Sequence, residues 1–115
     1  MSGESLSFPD EMEFLEFFGA APVESSAQDG YWCYAIADAR GICLRFSFSM
    51  FERSVQTVVH AQGSHLATIV YEGATEITID KETLTCVFLG VDCRATLVLR
   101  VAPEIRLEWS RLRRE

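Results

Sequence analysis

Two histidines flank the turn in VVHAQGSHLATI, and a hairpin centred near Gly63 sets His60 opposite His65. Imidazoles so placed can share a metal ion, but catalytic zinc takes three protein ligands and structural zinc four. Glu72 and Glu76 lie too far along the chain to complete a motif, so the pair reads as a turn surface and no metal is expected. The cysteines, Cys33, Cys43, Cys86 and Cys93, form no CxxC pair and have no histidine couple at zinc spacing. They read as free thiols of a reducing compartment.

Carboxylates are the other concentrated chemistry. The segment YEGATEITIDKET carries Glu72, Glu76, Asp80 and Glu82 against a single base, Lys81. Paired carboxylates hydrolyse glycosides when they face each other across a cleft. Here Glu76, Thr78 and Asp80 alternate with Ile77 and Ile79, which puts the acids on one outer strand face while the isoleucines enter a core. A solvated face or an acidic binding surface fits this better than an enzyme site. There is no GxSxG elbow, no recognisable nucleophilic triad, no GxGxxG and no phosphate loop. No catalytic residue and no cofactor are expected.

The frame around these groups is mainly β. Residues 9 to 19, PDEMEFLEFFG, predict a short N-terminal helix: Pro9 and Asp10 suit its start, Glu11 and Glu13 its positive end, and Gly19 its stop. Met12, Leu15 and Phe18, with Phe14 beside them, make its expected apolar face, packed onto a sheet. The segment AAPVESSAQDG reads as a connection.

From Tyr31 the period becomes two. Setting Asp38 opposite Ile42 leaves Ala39, Arg40 and Gly41 as a three-residue loop, with Gly41 free to take a left-handed conformation. Ile36 then pairs with Leu44, Tyr34 with Phe46 and Trp32 with Phe48, six large residues on one face. A slip by one residue would turn half of them into water. The opposite face, Cys33, Ala35, Ala37, Cys43, Arg45, Ser47 and Ser49, is small or polar, either solvated or covered by the helix.

Further strands follow in SVQTVVHAQ, HLATIVYE, ATEITID, TLTCVFLGV, RATLVLRV and EIRLEW. The expected fold is an antiparallel sheet or sandwich of about eight strands over residues 31 to 110, with residues 1 to 8 flexible and a basic tail at 111 to 115. The last strand either ends in a solubilising tail, or Trp109 anchors the core edge while Arg111, Arg113 and Arg114 touch the acidic helix. An uncovered edge such as TLTCVFLG would favour a homodimer.

A chain of 115 residues, 49% hydrophobic and 23% charged, suits one domain with one core. No apolar run nears the ~20 residues of a membrane helix, and the first residues carry acids where a secretory signal carries bases, so the expected location is the cytoplasm. The net charge of −7 disfavours nucleic acid as a partner. Charge is also uneven: Glu4, Asp10, Glu11, Glu13, Glu16, Glu24 and Asp29 open the chain without a Lys or Arg, whereas Arg94, Arg100, Arg106, Arg111, Arg113 and Arg114 close it.

This small acidic domain, with WCYAIADARGICLRFSFSMFERSV, IVYEGATEITID and CRATLVLRV as its strands, resembles the cytoplasmic immunity proteins that accompany bacterial polymorphic toxins, including toxins delivered by contact-dependent or type VI systems. The resemblance is one of general style and carries over no functional residue. It implies a protein, not an enzyme, that binds a cognate toxin and blocks its active site or substrate entry. The expected contact surface is Glu72, Glu76, Asp80 and Glu82, with Asp10, Glu11 and Glu13 as the second candidate. The alternative is a small-molecule-binding β domain with a cavity lined by Trp32, Tyr34, Phe46 and Phe48; a third reading is an adaptor in a larger assembly.

Overall fold

The computed structural model describes residues 5–90 and 93–113. After a helix α1 (Glu11–Phe18), nine strands follow: β1 (Glu24–Ser26), β2 (Tyr31–Ala37), β3 (Ile42–Ser49), β4 (Ser54–Ala61), β5 (Ser64–Glu72), β6 (Ala74–Asp80), β7 (Thr83–Leu89), β8 (Cys93–Arg100) and β9 (Arg106–Arg113). They form two antiparallel meanders, β1 to β5 and β6 to β9, in which each strand pairs with its sequence neighbour. Short hairpins make this the nearest pairing available to each strand. The chain passes between sheets at Gly73 (φ +86), where an added Cβ would meet the Leu89 carbonyl oxygen at 3.2 Å. A side chain is excluded both by the left-handed backbone and by this approach.

The β2–β3 register is the expected one: Trp32 faces Phe48, Tyr34 faces Phe46 and Ile36 faces Leu44. Gly41 (φ +86) closes the loop, its amide bonding the Asp38 carbonyl at 3.1 Å. Phe46, Val55, Leu84, Cys86, Leu97 and Leu99 are fully enclosed between the sheets. Burial pushes the Cys86 thiol pKa far up, so it remains protonated and inert.

Several expectations are corrected. The buried face of α1 is Phe14, Phe17 and Phe18, while Met12 and Leu15 are 61% and 42% exposed. Phe14 and Phe18 stack on Tyr34 at 5.2 and 4.6 Å between ring centroids. The helix therefore covers the aromatic face of β2 and β3, not their small, polar face. Leu6, in the stretch expected to be flexible, is buried, and Ser7 bridges to Glu76 on the edge of β6. The expected connection contains the short strand β1, and the expected basic tail begins as a continuation of β9. TLTCVFL is β7, paired on both sides, so it offers no edge. Among the described residues the long edge strands are β5 and β9, and on β5 Leu66 and Val70 are 59% and 52% exposed.

The two sheets are tied where their hairpins meet. Asp38, its side chain 2% exposed, accepts bonds from the amides of Arg40 (2.9 Å), Ile42 (3.1 Å) and Ile105 (3.0 Å) and from the Arg40 guanidinium (2.9 Å). Arg40 also donates to the Ile105 carbonyl at 2.8 Å. The Ile105 amide, then the Arg40 side chain and the nearer amides, hold the Asp38 pKa down to about 2, against the opposing effect of burial.

Candidate functional site

The acids of YEGATEITIDKET do not form one cluster. Glu76 and Asp80 project with Thr78 from the outer face of β6, as their alternation predicts, and Ile77 is buried beneath them. A bulge at Thr75 sets this phase, since Ala74 pairs with Phe88 but Glu76 with Val87. Glu82 follows in the exposed β6–β7 turn. Glu72 is separated from them by the Gly73 corner: it ends β5, in the other sheet, roughly 20 Å along the strand direction from Asp80. There it lines a groove of about 340 Å³ with Val70, Tyr71, Phe88, Ala95 and Arg111.

The second acidic candidate divides as well. Asp10 caps α1, its carboxylate accepting the Glu13 amide at 2.9 Å while the Glu13 carboxylate accepts the Asp10 amide at 3.1 Å. This capping box commits both side chains to holding the helix end. Glu11 makes no such bond and stands exposed beside Met12. A groove of about 250 Å³, lined by Glu13, Glu16, Phe17, Ile79 and Lys81, joins the helix to the far end of β6. The structure thus brings Glu13 and Glu16 together with Lys81, from two segments that the chain separates by more than sixty residues, while Asp80 and Glu82 flank Lys81 in sequence and are exposed. Met12 and Leu15 add apolar area to the same acidic helix, which reading Leu15 as core concealed.

The basic end of the chain lies elsewhere. Arg111 is on β9, at the opposite edge of its sheet from β6, and lies in the Glu72 groove rather than against α1. The side chain of Arg113 and all of Arg114 fall outside the described residues. Trp109 packs on Tyr71 and Phe88 at 5.0 and 5.5 Å, so it anchors the core edge as expected. Arg100 and Arg106 stand directly opposite one another on β8 and β9 and line an open groove of about 640 Å³ with Val98 and Glu108. Sequence reasoning passed over this cationic pair because it is formed only by the register of the last hairpin.

His60 and His65 pair across the β4–β5 hairpin with ring centroids 5.4 Å apart. The Nε2 atom of His65 is engaged by the Thr68 hydroxyl at 2.7 Å. Among the described residues no three His, Cys, Asp or Glu side chains cluster as metal ligands. Of the cysteines whose side chains are described, Cys33 and Cys86 are buried and Cys43 is exposed, all as free thiols. No helix among the described residues is long and apolar enough to cross a membrane.

A smaller apolar cavity of about 230 Å³ opens between the start of α1 and β2–β3, lined by Phe8, Pro9, Asp10, Glu11, Phe14, Trp32, Tyr34 and Phe48. Phe46, expected in such a cavity, is instead wholly buried beneath the rings.

No known protein family matches the sequence, and no curated protein does. Among solved structures, the fold is similar to that of a chain in the "Contact-dependent growth inhibition toxin - immunity protein complex from Klebsiella pneumoniae 342", with a TM-score of 0.84, 22% identity, and coverage of 97% of this chain and 100% of that one. At this identity the likeness is one of fold, and it extends through both sheets.

Proposed function

We propose that this chain is an immunity protein: it binds a cognate toxin and neutralises it by occluding the active site or the substrate entry, acting in the cytoplasm as a binding protein rather than an enzyme. The observation that carries the reading is the end-to-end fold likeness to a chain from a toxin–immunity complex, at a TM-score of 0.84. A net charge of −7, with acids gathered on exposed faces of β6 and α1, supports a basic partner surface. Such complementarity raises the association rate by steering, and buried apolar anchors set the lifetime.

The contact surface in this reading is Glu76, Asp80 and Glu82, extended onto α1 through Glu11, with Asp10 and Glu13 holding the helix in place and Met12 and Leu15 as apolar anchors. Glu72, in its own groove, is a peripheral member. The experiment is capture from the source bacterium with the tagged chain as bait, retained through a high-salt wash, followed by expression of the captured toxin with and without this chain. A stoichiometric toxin whose growth arrest is relieved by co-expression is the expected result. An empty bait, or a captured protein whose toxicity is unaffected, would overturn the reading. One observation favours a second reading, a small-molecule-binding domain: the aromatic cavity beside α1.

A further inference from the structure

The outer face of the second sheet is open across its width: every outward side chain described on it is exposed or half-buried. Register lines these residues up in transverse rows, one of which runs Asp80, Thr83, Arg100, Arg106 from β6 to β9. The face is therefore bipolar. Glu76 and Asp80 stand at its β6 edge, and the two arginines stand at its β8–β9 end.

The arginines do nothing evident for the fold. Side chains directly opposite in an antiparallel pair have Cβ atoms about 4.5 to 5.5 Å apart, and like charges so placed repel. Neither Arg100 nor Arg106 forms an ion pair with a described residue, and neither does Glu108, which lines the same groove of about 640 Å³. The repulsion thus stands uncompensated in the isolated chain, and an incoming anion would remove it. The surroundings of the pair choose the anion. Glu108 follows Arg106 on the same face of β9, and the row from the arginines leads back to Asp80. A phosphate backbone carries a charge at every nucleotide, so it would cross these acids on a chain whose net charge is already −7. A single carboxylate fits between two guanidinium forks, whose planar donors match its oxygens. A protein that presents it can also set a base against Glu108.

We propose that Arg100 and Arg106 receive an acidic side chain of the protein partner, so that the contact surface runs across the whole outer face of the second sheet. This rests on the reading of the chain as an immunity protein, and it gives the toxin a second feature besides a basic surface for β6. Asp80 and Arg106 are three interstrand steps apart, roughly 14 Å, which is the separation required between the basic and acidic elements of the toxin. A partner with uniformly basic charge would meet repulsion at the arginines, so the pair adds selectivity to the steering that the acids supply.

The first test titrates the whole chain with a short glutamate–glycine peptide, with its glutamine counterpart and with a short single-stranded RNA. The readout is NMR of the arginine Nε–H signals, assigned through Arg100→Gln and Arg106→Gln. The glutamate peptide is expected to move both signals and to bind at least about 5-fold more tightly than the glutamine peptide, a difference that the double variant abolishes. Equal binding of the two peptides, unmoved arginine signals, or tighter binding of RNA than of the glutamate peptide would overturn the proposal. The second test uses the toxin captured by the bait. The double variant loses a repulsion and should fold at least as stably as the parent, yet is expected to bind that toxin at least about 10-fold more weakly. Undiminished affinity overturns this inference and leaves the immunity reading standing. An empty bait overturns the immunity reading instead, and the peptide titration then decides the role of the arginines.

Discussion

Thr57 offers a test of how the core is built. It lies on β4 between Phe46 and Ile69, faces inward with Val55 and Val59, and is 1% exposed. Its Oγ1 atom is buried with no hydrogen-bond partner among the described residues. In the unfolded chain that hydroxyl is hydrated, so folding strips it of water without replacement, at a cost of about 1 to 3 kcal/mol. Thr57→Val replaces the hydroxyl with a methyl group of similar shape and keeps the β-branched side chain that suits a strand. The expected gain is about 1 to 2 kcal/mol, allowing for imperfect fit of the added methyl. For 115 residues this raises Tm by about 4 °C per kcal/mol. Thr57→Ser is the control: it keeps the hydroxyl, loses a buried methyl and should cost about 1 kcal/mol. Urea denaturation with calorimetry at neutral pH reads both variants. A Thr57→Val protein that is less stable than the parent, with an unchanged urea dependence, would mean the hydroxyl is bonded and would refute the reasoning.

Other predictions follow from the same geometry. The Asp38 carboxylate has its pKa held down to about 2 in the folded chain against about 3.9 unfolded, so its contribution to stability is complete above about pH 4 and is lost as pH falls towards about 2. Asp38→Asn should therefore be less stable than the parent at pH 7, with the gap closing in acid; denaturant titrations at several pH values check this. Phe17→Ala, which removes a buried ring from α1, should cost about 3 to 5 kcal/mol, whereas Met12→Ala at 61% exposure should change stability by less than about 0.5 kcal/mol yet weaken the proposed toxin complex. If the proposed contact surface holds, reversing Glu76, Asp80 and Glu82 to Lys should slow association with the proposed toxin at least about 10-fold at low salt and leave folding intact, as measured by stopped-flow binding and circular dichroism. A thiol reagent applied to the native chain should modify Cys43 and spare Cys33 and Cys86, as peptide mass spectrometry would show.

Reading the acids as exposed was possible because period-two alternation separates Glu76 and Asp80 from Ile77 and Ile79 within a single strand. Grouping them was not, because Gly73 turns the chain from one sheet to the other between Glu72 and Glu76. The aromatic cavity was harder to read, since Phe8, Trp32 and Phe48 come from three segments and meet only when the chain preceding α1 folds over the first sheet. Asp38 looked like a loop residue; its bond to Ile105 spans 67 positions and depends on how the sheets pack.

By itself the sequence determined the β2–β3 hairpin, since six large residues share a face in one register only and a slip would expose half of them. It likewise determined the limits of α1, where Asp10 and Gly19 satisfy the helix ends through local hydrogen bonds. Only the tertiary structure decided which side of that helix is buried. EMEFLEFF offers two apolar stripes, Met12 with Leu15 and Phe14 with Phe17 and Phe18, and helical periodicity does not choose between them. The choice was made by Tyr34 and Phe48, on whose rings Phe14 and Phe18 stack while Phe17 packs edge-on against Phe18, which leaves the other stripe to solvent or a partner.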